Sequence, residues 1–196
     1  MDFIANTYEY LHPGGPVMIP LIITSVCMWI FIFERVFYFR RVNRDDVNLK
    51  SAVQILKGMQ LPETSKGIRI RVIRNFLDKC TGNKKLDKSI LDHCAMQERP
   101  DIRRFLSTIA ILAAVAPLLG LLGTVTGMIT TFDVIALFGT GNAKAMAGGI
   151  SEALITTQSG LIVAIPGLFM SAFLFRRAER LESNLYELIV TLKRHI

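Results

Sequence analysis

The sequence predicts an all-α membrane protein with three transmembrane helices and long helical extensions on the cytoplasmic side. Three observations carry this expectation. Residues 105–138 and 148–175 form two apolar passes, each longer than the ~20 residues needed to cross a bilayer, and only the small polar turn at 139–142 and a few small residues separate them. Residues 17–39 form a third apolar run, and the 51% of hydrophobic residues, with a mean hydropathy of +0.40, fall in such blocks. The charge is equally segregated. None of the 23 Lys and Arg precedes Arg35, 16 lie from Arg40 to Arg104, and five lie from Arg176 onward. Positive residues collect on the cytoplasmic side of inserted helices, so the middle segment and the tail are expected inside and the N-terminus outside. The net charge of +7 therefore reports topology, and no nucleic-acid role is read from it.

Residues 1–16 read as a periplasmic amphipathic segment. Phe3, Ile4, Tyr8 and Leu11 recur at helical spacing, and His12-Pro13-Gly14-Gly15-Pro16 ends the pattern. His12 reads as a solvated turn residue. With no basic region or small-residue cleavage site around it, 17–39 is expected to be a retained first crossing and not a signal peptide. Its cytoplasmic half is crowded with Trp29, Phe31, Phe33, Phe37, Tyr38 and Phe39, and Arg40, Arg41 and Arg44 stop transfer. Glu34-Arg35 reads as a snorkelling pair at the inner boundary.

Residues 40–104 are polar and basic, with helical stretches expected at 47–59, 68–79 and 86–103, making a small cytoplasmic helical domain. No phosphate-cradling glycine loop and no nucleophile-base pair occurs there. His93-Cys94 is too sparse for a zinc site, and Cys27, Cys80 and Cys94 have no framework spacing, so no metal, cofactor or enzymatic activity is expected.

The second crossing, 105–138, runs outward. At ~1.5 Å per residue it exceeds the ~30 Å hydrocarbon thickness, so it tilts or projects. Pro117 lacks an amide hydrogen at mid-helix and marks a kink. Gly120, Gly123 and Gly127 with Ala113 and Ala116 supply small faces for close helix approach. After a periplasmic turn at 139–147, the third crossing, 148–175, returns with Gly148, Gly149, Ala153, Gly160 and Gly167 and a second kink at Pro166. Residues 176–196 carry Leu181, Leu185, Leu188, Ile189 and Leu192 among charges, an amphipathic cytoplasmic tail.

Polar residues inside these crossings are the functional candidates. Thr124 lies 20 residues outward from Arg104, and Thr157 lies 20 residues outward from Arg177. If the two arginines mark one plane, the threonines share a level, with Glu152 roughly 7 Å further out. A lone intramembrane carboxylate above paired hydroxyls points to a water-bearing passage, whereas any one of the threonines taken alone reads as bonded to the backbone carbonyl four residues back. On an ideal helix Glu152 aligns with Thr156 and Ser159, and Thr157 lies about 140° away, so which of them faces the axis is open. Apart from Glu152 and Asp133, the two passes hold no carboxylate. A second protein is therefore needed to carry a proton through the membrane.

Gly120-Leu121-Leu122-Gly123-Thr124-Val125 with Gly127, and Gly149-Ile150-Ser151-Glu152-Ala153-Leu154 followed by Thr157 and Gly160, resemble the signatures of the MotA/TolQ/ExbB proton channel family. Gly14-Gly15-Pro16-Val17-Met18 with Glu34-Arg35 is similar to the first-helix pattern of its ExbB/TolQ-like branch. The resemblance implies a homopentamer around a central pore in the bacterial inner membrane. It implies as partners an ExbD/TolR-like single-span protein with a membrane-embedded aspartate and a TonB/TolA-like energy transducer. It also implies pore roles for Thr124, Thr157 and Glu152, with Pro117, Thr156 and Ser159 as further pore or kink positions. The alternative is a non-conducting scaffold whose polar groups pack helices and anchor partners. Proton or sodium, and ExbB-like nutrient uptake or TolQ-like envelope maintenance, are left open by these residues.

Overall fold

The computed structural model describes residues 14–44 and 67–194, and everything in the described residues is helix or turn. The expectations for 1–11, His12 and 47–59 lie outside the described residues. Among the described residues five α-helices follow in order: α1 Met18–Arg44, α2 Ile68–Leu77, α3 Lys84–Arg103, α4 Leu106–Phe138 and α5 Ala143–Lys193, with a 3-10 turn at Gly139–Gly141 between the last two. Three helical stretches are long and apolar enough to cross a membrane, in α1, α4 and α5. The helix that carries the third apolar pass starts at Ala143, before residue 148. Asn142 accepts a bond from the Ala145 amide through Oδ1 (3.2 Å) and its carbonyl accepts from Met146, so the helix is capped at Ala143 and runs without interruption into the tail.

The chain forms two compact units, Met1–Ile32 with Ser107–Ser171, and Phe33–Leu106 with Ala172–Ile196. In the first, α4 and α5 pack antiparallel along a stripe of small residues. On α4 the buried positions are Ile109, Ala113, Ala116, Gly120, Gly123, Gly127 and Thr131, and on α5 Gly149, Ala153, Thr156, Gly160, Ala164, Gly167 and Ser171. Alternating steps of three and four keep such a stripe facing one partner helix. Lipid provides no hydrophobic drive between helices, so close backbone approach and van der Waals packing hold them. A methyl group at Gly160 would lie 2.8 Å from the Ala116 carbonyl oxygen, and one at Gly127 would lie 2.7 Å from that of Gly149. Met28 of α1 fills the space beside Gly167. Outward, Leu118, Leu121, Phe132, Leu154 and Phe169 are all exposed, the apolar coat that a membrane bundle turns to lipid or to neighbouring helices.

The second unit has a core of its own, with Ile70, Val72, Ile73 and Phe76 of α2, Leu91, Cys94 and Ile102 of α3, and Leu174, Leu188 and Leu192 of α5 all buried. The α2–α3 turn is tied by Asp87, whose carboxylate accepts from the Thr81 amide (2.8 Å), the Thr81 hydroxyl (3.1 Å) and the Gly82 amide (3.1 Å). Asn83 caps α3 by accepting from the Lys85 amide. Arg71 Nη2 meets Glu98 Oε2 at 2.9 Å and donates to the Tyr38 hydroxyl at 3.3 Å, linking α1, α2 and α3. Burial pushes the Glu98 carboxyl above the usual carboxylate range; Arg71 opposes this and Asp101 adds to it. Arg103 grips Glu182 with two bonds, Nε to Oε1 at 2.6 Å and Nη2 to Oε2 at 2.8 Å, and that bonding holds the Glu182 carboxyl low.

The sequence reading of Glu34-Arg35 as a snorkelling surface pair is corrected. Arg35 is only 2% exposed. The reason lies at the α3–α4 junction, where Phe105 takes φ +61°, a left-handed conformation rare outside glycine. Beside this break Arg35 Nη1 donates to the Asp101 carbonyl oxygen at 2.7 Å. Its other edge is neutralised by Glu34 (2.6 and 2.9 Å), and its plane lies over Tyr38, 4.5 Å from the ring centre. The arginine is thus buried among three partners, the Asp101 carbonyl, the Glu34 carboxylate and the Tyr38 ring.

Candidate functional site

The polar residues of α4 and α5 are sorted by the small-residue seam. Thr156 lies in it, 1% exposed, against Gly123, with its hydroxyl placed to donate to the Glu152 or Ala153 carbonyl at 3.0 Å each. It packs the hairpin. Its neighbour Thr157 is half-buried, turned out of the seam, and donates to the Ala153 carbonyl at 3.0 Å. Thr124, adjacent to the buried Gly123, is likewise half-buried and donates to the Leu121 carbonyl at 2.6 Å. Both hydroxyls spend their hydrogen on their own backbone, and both oxygens keep acceptor capacity. Ser159 and Pro117 are half-buried as well, and α4 runs through Pro117 without a break in assignment.

The register corrects the sequence arithmetic slightly. Gly123 faces Thr156 and Gly127 faces Ala153, so Thr124 lies nearly opposite Ile155. That is about two residues outward of Thr157, an offset of roughly 3 Å rather than a common level.

Glu152 lies on a different side of α5 from Thr157, half-buried, and its carboxylate occupies the space where a side chain at Gly15 would be. Gly15 has φ +68°, so the turn entering α1 both requires glycine and leaves room for the acid. Gly14 beside it abuts Ile155. This contact joins the start of α1 to α5, in the half of the hairpin nearer the Gly139–Gly141 turn. Sequence reasoning treated Gly14-Gly15-Pro16 as a helix stop and as part of the first-helix pattern, and did not foresee its contact with Glu152. Arg35 was missed for another reason, since nothing nearby in sequence announces the break at Phe105.

Comparison with known proteins bears on the whole hairpin. The family described as the MotA/TolQ/ExbB proton channel family matches residues 64–187. Among curated relatives, the ExbB-like protein 1 of Synechocystis is 35% identical over 172 residues, covering 83% of this chain and 67% of its own. The ExbB-like protein 3 of the same organism is 30% identical, covering 81% and 80%. The biopolymer transport protein ExbB of Salmonella typhimurium is 29% identical, covering 78% and 68%.

Proposed function

Because the chain belongs to the MotA/TolQ/ExbB proton channel family, we propose that it is the channel and stator subunit of an inner-membrane motor driven by the proton motive force. In this reading several copies, five by family resemblance, surround the single crossing of an ExbD/TolR-like partner, and a TonB/TolA-like transducer passes the work to outer-membrane transport. The tail and the middle segment face the cytoplasm, and the start of α1 faces the periplasm.

The observation that carries the reading is the division of neighbouring polar residues. Each helix buries one small residue in the dry seam, Gly123 or Thr156, and leaves the next, Thr124 or Thr157, outside it. A polar group outside the seam of an apolar helix is costly against lipid and is accommodated by water or by protein. With their hydrogens committed to backbone carbonyls, the two hydroxyls accept hydrogen bonds from passing water without fixing a charge. Glu152, toward the outer end, supplies a carboxylate where protons enter. The partner's aspartate carries them past the apolar level, and each charge falling through 100 mV releases about 2.3 kcal/mol.

The test is transport work by vesicles or cells carrying Glu152→Ala, Thr124→Val or Thr157→Val together with the single-span partner. Assembly is expected to survive and the work to be lost. Full activity in all three variants would leave a non-conducting scaffold as the better description.

A further inference from the structure

Where the apolar stretch of α5 gives way to charge, a cavity of about 490 Å³ opens, lined by Phe173, Arg176, Arg177, Arg180 and Asn184 of α5 and by Asn43 from the last turn of α1. These α5 positions recur at steps of three and four, so they share one face. Its charge is unbalanced. Arg176, Arg177 and Arg180 make no ion pair or hydrogen bond to any described residue, whereas Arg35, Arg71 and Arg103 are each paired with a carboxylate. The acids that share this stretch of helix serve another face, since Glu182 holds Arg103 and Glu179 also acts on Arg103. Arg40 and Arg44, within a turn of Asn43 on α1, add to the positive potential. Three unpaired guanidinium forks around a cavity suit an oxygen-rich anion, because each can hold two oxygens of one phosphate.

The membrane side of the cavity identifies the source of that phosphate. Phe173 is 52% exposed, and the apolar coat of α5 continues outward from it through Phe169 (75%) and Ile165 (54%). A phosphodiester held at Arg176 to Arg180 would lay an acyl chain along this apolar track, whereas a free phosphate would make no use of it. We propose that this cavity binds the headgroup of an anionic phospholipid of the cytoplasmic leaflet, with its chains lying along Phe173 and Phe169. The leaflet follows from the topology in the functional reading; the site itself is independent of the ion pathway.

The test is native mass spectrometry of the assembled protein released from nanodiscs of mixed phosphatidylcholine and phosphatidylglycerol. Wild type is expected to retain phosphatidylglycerol preferentially. Arg176→Gln/Arg177→Gln/Arg180→Gln should lose that preference by about 100-fold, from roughly a fivefold weakening per basic group near a charged surface. The control Lys84→Gln/Lys85→Gln/Lys88→Gln removes the same charge from the exposed start of α3 and should keep it. Should the triple arginine variant fail to assemble, Arg180→Gln at an exposed position carries the test with a smaller loss. Unchanged retention in the arginine variants, or equal loss in the lysine control, overturns the proposal. So does stabilisation of delipidated protein by inorganic phosphate equal to that by short-chain phosphatidylglycerol, which would indicate a free-anion site. Transport work lost in Thr124→Val with lipid retention intact would separate the two readings.

Discussion

Gly160→Ala tests whether the hairpin is held by backbone contact. The added methyl would sit 2.8 Å from the Ala116 carbonyl oxygen, 3.1 Å from the Gly120 Cα and 3.3 Å from the Gly120 nitrogen. All three are main-chain atoms of the facing helix, so no rotamer change relieves the clash, and α4 and α5 must part by roughly 0.5 Å or more to restore contact near 3.5 Å. Overpacking of this kind costs about 1–3 kcal/mol. Gly148→Ala adds the same methyl on the same helix with nothing within 4 Å, and alanine is favoured over glycine in a helix by up to about 1 kcal/mol. The two substitutions should therefore move stability in opposite directions, by ~2–4 kcal/mol in total. Unfolding by sodium dodecyl sulfate, followed through the single Trp29 and through helical circular dichroism, measures both. Gly160→Ala as stable as wild type would refute the seam.

Other consequences follow from the same geometry. Arg35→Met should loosen the α3–α4 junction, since the Asp101 carbonyl loses its donor and Glu34 its partner; a hydrogen bond to a charged group contributes about 1.5–3 kcal/mol, and its loss should be seen as faster amide exchange around 101–106. Glu98→Gln should flatten a pH dependence: a carboxyl raised by burial contributes stability below its ordinary pKa that is lost as pH rises through the higher folded value. Glu182 has the opposite sign, because its lowered carboxyl contributes stability above the ordinary range that is lost on acidification, so Glu182→Gln should reduce acid sensitivity. Gly15→Ala is strained at φ +68° and displaces the Glu152 carboxylate; combined with Glu152→Ala it should cost less than the sum of the two alone, in both transport and unfolding measurements.

The three crossings were legible because hydropathy and segregated charge are properties of the linear chain, and the small-residue stripe because its spacing is that of a helix. The tail at 176–193 and its continuity with the third crossing also followed from periodicity, but the start of α5 at Ala143 did not, since it depends on the Asn142 cap. Contacts between distant positions were not legible. Arg35 is tied to the Asp101 carbonyl 66 residues away, and the Glu152 environment is set by a turn about 137 residues earlier. Periodicity could say that Thr156 and Thr157 face different ways, but not which one enters the seam. That was decided by Gly123 across the hairpin, whose missing side chain makes the room Thr156 fills.

The central claim is that Thr124 and Thr157 border water. With Cys27, Cys80 and Cys94 replaced by alanine, Thr124→Cys and Thr157→Cys in the assembled complex should react with a membrane-impermeant, water-soluble methanethiosulfonate. Leu122→Cys and Ile162→Cys, exposed apolar positions on other sides of the same helices, should not react. Protection of both threonine positions, with reaction at neither face, would contradict the account.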